Sequence, residues 1–123
     1  MEVRELRICN LVKYKTTPEE YLEGEITLID HRGVVVNGFY MLVGFIEPIP
    51  LTEEWLLKFG LKEHSLGYYY LTDDVIISVE GQVYFETGTN VTHWMCECYT
   101  VHQLQNLYFA LTSEELTLNS NER

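Results

Sequence analysis

His93, Cys96, Cys98 and His102 form the densest run of side chains able to bind a metal or act as nucleophile and base. All four are chemically suitable zinc ligands. Their spacing is not that of a zinc ribbon or finger, which pairs ligands as Cys-x-x-Cys. In a strand, alternation places Cys96 and Cys98 on one face with Trp94 and turns His93 to the other. The two sulfurs would then lie ~6.5–7 Å apart along one face, too far for a comfortable disulfide. Either cysteine with His93 or His102 would make a thiolate–imidazole pair. A thiol buried beside Trp94 has a raised pKa and is a poor nucleophile. Free cysteine is among the most buried residue types, so two small core residues and two ordinary histidines is the simpler account. A small metal- or thiol-dependent enzyme using these four residues is therefore the alternative reading, and no cofactor is expected.

Other candidate chemistry is weaker still. Cys9 has no motif around it, and an odd count of three cysteines in a chain without an evident signal peptide reads as reduced thiols. The carboxylate pairs Glu53/Glu54, Asp73/Asp74 and Glu114/Glu115 are adjacent in sequence, and neighbours on a helix or strand do not face one cleft. All eight glycines are isolated, so no phosphate-cradling loop exists. Asn90-Val91-Thr92 matches a glycosylation sequon, which carries no meaning in an intracellular chain.

Aromatic residues say more. Tyr68, Tyr69 and Tyr70 are consecutive, so at least one points away from the core. With Tyr84 on a neighbouring strand they would form an exposed tyrosine patch, a common feature of interfaces. The formal net charge is -11, from 19 acidic and 8 basic side chains. Such a surface repels phosphate backbones and favours a basic partner. The candidate partner-contact residues are Asp73, Asp74, Glu80, Glu86, Tyr69 and Tyr84. Direct nucleic-acid binding would have to use Arg4, Arg7, Lys13 and Lys15 near the start of the chain, and is not expected.

At 123 residues with 46% hydrophobic content, the chain is sized for one compact unit or two small subdomains. No apolar run approaches the ~20 residues needed to span a bilayer. Met1 to Arg7 has scattered charges and no apolar core of a signal peptide, so a cytoplasmic location is expected and no membrane partner.

The elements that would position these residues read as follows. Glu25 to Asp30 alternates polar and apolar as a half-buried strand does. Asp30 to Gly33 is a turn, Val34-Val35-Val36 favours extended backbone, and Asn37-Gly38 predicts a tight hairpin into Phe39–Val43. Glu47-Pro48-Ile49-Pro50 breaks regular structure and divides the chain. Thr52 caps a short helix with Glu53 and Glu54 in its first turn, Trp55, Leu56 and Phe59 on its apolar face and Gly60 at its stop. Strands at Gly67–Leu71, Asp74–Val79, Gln82–Glu86 and Val91–Tyr99 make a four-stranded antiparallel meander. A final amphipathic helix from Thr100 to Leu116 carries Val101, Leu104, Leu107, Tyr108 and Leu111 on one side and Gln103, Gln105 and Asn106 on the other. The expected fold class is α+β. It has an N-terminal small antiparallel roll over 1–47, SH3-like in one form, and a helix–meander–helix unit over 48–118 with the last helix packed on the sheet. Residues 119–123 read as a frayed tail.

Three blocks together carry a resemblance: Glu5-Leu6-Arg7-Ile8-Cys9-Asn10, then Glu47-Pro48-Ile49-Pro50 running on through Phe59-Gly60, and His102-Gln103-Leu104-Gln105-Asn106-Leu107-Tyr108-Phe109-Ala110-Leu111-Thr112. They resemble short proteins of Bacteroidetes genomes, their phages and mobile elements, a group to which no activity or catalytic residue is assigned. The resemblance covers most of the chain and departs from it at Cys9 and Ser113, where glycine is expected. Small acidic phage proteins often bind and block a host factor. The resemblance therefore implies a non-enzymatic, acidic protein-binding module. Such a module would occlude a basic, nucleic-acid-binding surface of a host protein, with an inhibitor of a nucleic-acid-guided defence nuclease as one form.

Overall fold

A computed structural model describes residues 2–88 and 91–118. The predicted frayed tail at 119–123, the Thr89-Asn90 part of the turn and the sequon's Asn90 lie outside the described residues. Among the described residues the chain forms ten strands, two α-helices and two short 3-10 turns, an α+β fold. Its contacts divide it into two units, Met1–Pro50 with Thr100–Asn106, and Leu51–Tyr99 with Leu107–Arg123. The closing helix thus contributes its first half to one unit and its second half to the other.

The first unit is a five-stranded antiparallel sheet built from β1 (Leu11–Thr17), β2 (Glu20–Ile29), β3 (Gly33–Val36), β4 (Phe39–Leu42) and β5 (Ile46–Glu47), in the order β4-β3-β2-β1-β5. Long β2 pairs with β1 along one stretch and with β3 along another, and a 3-10 turn at Val43–Phe45 leads into β5. In this order the bulged strand β2 is shared by both halves of the sheet, and β5 closes beside β1. Its core is Leu6, Val12, Tyr14, Ile26, Val34, Val36 and Ile46. The β3–β4 turn is the predicted Asn37-Gly38 pair, with φ of 51° and 84°. Positive φ at both central residues gives the turn whose twist matches the flanking strands. Pro18-Glu19 forms the β1–β2 turn, one hairpin before the first strand the sequence patterning identified.

The second unit opens with α1 (Glu53–Lys58). The helix ends as the sequence required. Gly60 has φ +79°, Leu61 N–H reaches Leu56 O at 3.1 Å, and Gly60 N–H reaches Leu57 O at 2.9 Å. Those two bonds satisfy carbonyls that the last turn leaves unpaired. A five-stranded antiparallel meander follows: β6 (Glu63–Ser65), β7 (Tyr68–Tyr70), β8 (Val75–Ser78), β9 (Gln82–Glu86) and β10 (Thr92–Glu97). Four of these strands, β7 to β10, are those expected from the sequence. The fifth, β6, is three residues of charged and polar type on the sheet edge, and carries no alternation to read. Leu56, Phe59, Tyr69, Leu71, Val75, Ile77 and Val83 are buried in this unit.

The closing helix α2 spans Val101–Thr112, four residues shorter than its periodicity predicts. Thr100 caps it, its Oγ1 accepting from Gln103 N–H at 3.4 Å. It stops because Ser113 takes φ 63° and donates its N–H to Phe109 O at 2.7 Å. The buried residues are Val101, His102, Leu104 and Gln105, whereas Phe109 and Leu111 are exposed. Gln105 therefore does not sit on the solvent side. Its Oε1 accepts from Leu11 N–H at 2.8 Å and its Nε2–H donates to Cys9 O at 3.0 Å, which is why an amide is tolerated there.

Candidate functional site

The His93, Cys96, Cys98, His102 set does not assemble into a metal centre. Among the described residues no three His, Cys, Asp or Glu side chains are grouped as a metal site requires. The expected alternation fails in β10 because of a bulge. Trp94 lies opposite Tyr84, but Cys96 lies opposite Val83, so one residue too many is spent between them. The bulge turns Cys96 toward the buried side while Trp94 stays 57% exposed. Cys96 and Trp94 thus do not share a face. Burial pushes the Cys96 thiol up, the wrong direction for a nucleophile. Cys98 is buried, His93 is exposed and His102 is buried in α2.

The outer face of the meander is where chemistry-bearing side chains do converge. Cross-strand partners share a face, and the register aligns Tyr70, Ile76, Tyr84 and Trp94 in one row across β7 to β10. Tyr68 lies diagonal to that row, its ring centroid 6.3 Å from that of Tyr84 with planes tilted by 58°. Beside them lies a cleft of about 300 Å³, lined by His64, Ser65, Tyr68, Ile76, Tyr84, Glu86 and Thr92.

His64 organises the cleft. Its ring packs edge-on against Tyr70 at 4.9 Å. Its Nε2 lies 2.9 Å from Glu86 Oε2 and its Nδ1 lies 3.0 Å from Ser65 Oγ. An ionised carboxylate only accepts, so Nε2 carries the hydrogen toward Glu86, and in the neutral ring Nδ1 accepts from the Ser65 hydroxyl. Glu86 is fixed from the backbone as well, its N–H donating to Asp74 O at 2.7 Å.

The six predicted contact residues fall in four places. Tyr84 and Glu86 line the cleft, and Asp74 is tied to the same end of β9. Asp73 sits beside Asp74 in the β7–β8 turn, but lines a separate groove of about 550 Å³ with Phe59, Leu61, Leu71, Tyr108 and Leu116. Glu80 lies in the turn at the opposite end of β9. Tyr69 is corrected outright. It is 4% exposed on the buried face of β7, and its hydroxyl donates to Glu53 Oε2 at 2.7 Å, which holds the phenol up at about 12. Of three consecutive tyrosines, the middle one faces the core and the outer two face out.

His64, Ser65 and Thr92 were missed. His64 and Glu86 are 22 residues apart on non-adjacent strands of the meander, and no spacing rule links them. The basic residues near the start of the chain are engaged elsewhere. Arg4 pairs with Glu2, Arg7 bonds Asn106, and Lys13 and Lys15 lie over the Tyr21 ring at 4.9 and 5.9 Å. Comparison of the chain with protein-family models, with curated proteins and with solved structures finds no match.

Proposed function

We propose that the chain is a non-enzymatic, acidic protein-binding module that covers a basic, nucleic-acid-binding surface of a host protein in the cytoplasm. One observation carries this reading. The outer face of the second sheet presents Tyr68 and Tyr84 beside the Glu86 carboxylate, with half-exposed Trp94 paired to Tyr84, in a chain of net charge -11. Aromatic anchors with a polar tip supply contact area, and acidic surroundings steer a basic partner toward them. The resemblance to small phage and mobile-element proteins supplies the class of partner, a nuclease or another nucleic-acid-binding protein.

The test is co-purification from a host lysate followed by competition. The recovered partner should lose nucleic acid as the wild-type chain is added, and should keep it when a Tyr84→Leu/Glu86→Gln variant is added instead. A partner that holds the chain and nucleic acid together would sink the proposal.

A second reading draws on the Ser65–His64–Glu86 order, which is hydroxyl, imidazole, carboxylate as in a hydrolytic triad. Against it, Ser65 is exposed on an edge strand and directly follows its base in sequence. Turnover of p-nitrophenyl acetate that disappears in Ser65→Ala would favour this reading over the binding module.

A further inference from the structure

We propose that the cleft between Tyr68, Tyr84 and Glu86 binds an arginine side chain presented by the basic partner. The inference rests on the binding-module reading and narrows it to one ligand group at one place.

The cleft's size comes first. About 300 Å³ accommodates one long side chain and is too small for a folded segment. Its walls are the two tyrosine rings, 6.3 Å between centroids and tilted by 58°. Ring faces attract a cation that lies within ~6 Å of the centroid. The two rings touch, so a guanidinium lies in the cleft against a ring face rather than between them, within that range of its centroid. Ile76, 4% exposed, gives the aliphatic stem an apolar contact.

The hydrogen-bonding groups match as well. Glu86 Oε2 is taken by His64, and Oε1 accepts nothing among the described residues. The carboxylate charge is shared by both oxygens, so this one attracts a cation while Oε2 holds His64. The Ser65 and Thr92 hydroxyls also line the cleft, and each has a lone pair to offer. A carboxylate with two hydroxyls asks for a donor with several N–H groups in a plane. Guanidinium has five, stacks on aromatic faces and is weakly hydrated, whereas an ammonium is a strongly hydrated point charge. An acidic side chain is repelled by Glu86, and a neutral aromatic one offers Glu86 Oε1 no N–H donor.

The experiment titrates the full chain with hexa-arginine and hexa-lysine peptides of equal charge at low salt, with Trp94 fluorescence and calorimetry as readouts. Hexa-arginine should bind about fivefold tighter or more. Tyr84→Leu and Glu86→Gln should bring it down to the hexa-lysine level, while Tyr84→Phe keeps the preference. Tyr68→Leu, on the other wall, gives the same test if Tyr84→Leu does not fold. Equal binding of the two peptides to the wild type, or an arginine preference that survives in Tyr84→Leu or Tyr68→Leu, would overturn the arginine site and leave the acidic module standing. Failure of both peptides to bind at low salt would overturn both.

Discussion

Arg7 donates its Nε–H to Asn106 Oδ1 at 2.7 Å, joining residues 99 positions apart in the chain. The same oxygen accepts from Asn10 Nδ2–H at 2.8 Å, and Asn106 Nδ2–H returns a bond to Glu5 O at 3.0 Å. Arg7 Nη2–H reaches Gln105 O at 3.2 Å, and Asn10 Oδ1 accepts from Arg7 N–H at 2.7 Å. This clamp joins the Glu5–Asn10 segment to Gln105 and Asn106 of α2. They hold one another through a polar network, and Asn10 is fully buried within it.

Asn106→Ala should therefore cost about 2–3 kcal/mol, because it strands a guanidinium N–H and the buried Asn10 amide at once. Arg7→Lys should cost nearly as much, since an ammonium cannot reproduce the fork that reaches both Asn106 and Gln105. Urea unfolding monitored by circular dichroism measures both. A midpoint unchanged in Asn106→Ala would show that the clamp is not structural.

His102 should make stability fall in acid. It is 2% exposed, its Nε2 is the one buried side-chain polar atom without a partner among the described residues, and burial pushes its pKa below 6.5. The unfolded chain then binds the proton first, so stability is full above about pH 6.5 and declines below it until the folded form also protonates. His102→Leu should flatten that segment of the profile. Urea titrations at pH 7.5 and 5.0 compare the two, and identical slopes would refute the assignment.

Cys9 and Ser113 should be improved by glycine. Both hold positive φ, 80° and 63°. A side chain there costs ~1 kcal/mol or more through its Cβ. Ser113→Gly and Cys9→Gly should each raise the unfolding midpoint, seen in thermal melts. By contrast, Gly81→Ala should be severe. Gly81 has φ +94°, and an added Cβ would lie 2.5 Å from the Tyr99 ring and 2.8 Å from Cys98 O.

Tyr69 should titrate last of the tyrosines. Its hydrogen bond to Glu53, and burial after it, hold the phenol at about 12 rather than 10. Tyr21 and Tyr99 are raised as well, by hydrogen bonds to carboxylates and by burial, and Tyr40 by burial and its hydrogen bond to Asp30. Ultraviolet difference titration at alkaline pH should therefore show a late group of tyrosines whose last step Glu53→Gln moves down. A Glu53→Gln curve that matches the wild type would place Tyr69 outside this contact.

Local signals carried much of the fold. Asn37-Gly38 made its hairpin because both residues tolerate positive φ, and Gly60 ended α1 for the same reason. Gln82–Glu86 is a strand because alternation and flanking turns agree. Thr100 caps α2 because its hydroxyl reaches the N–H of Gln103, three residues on. Each of these is decided within a few residues, so each is legible one residue at a time.

What the tertiary structure alone decided is everything that depends on pairing between distant strands. Sequence established an acidic α+β chain with tyrosines clustered on strands. It put Tyr69 among the exposed contact residues, and it aligned Cys96 with Trp94. Strand β6, the bulge before Cys96 and the meeting of His64 with Glu86 all follow from sheet register. A single-residue shift in register exchanges the two faces of a strand, and no local property of the chain records that shift.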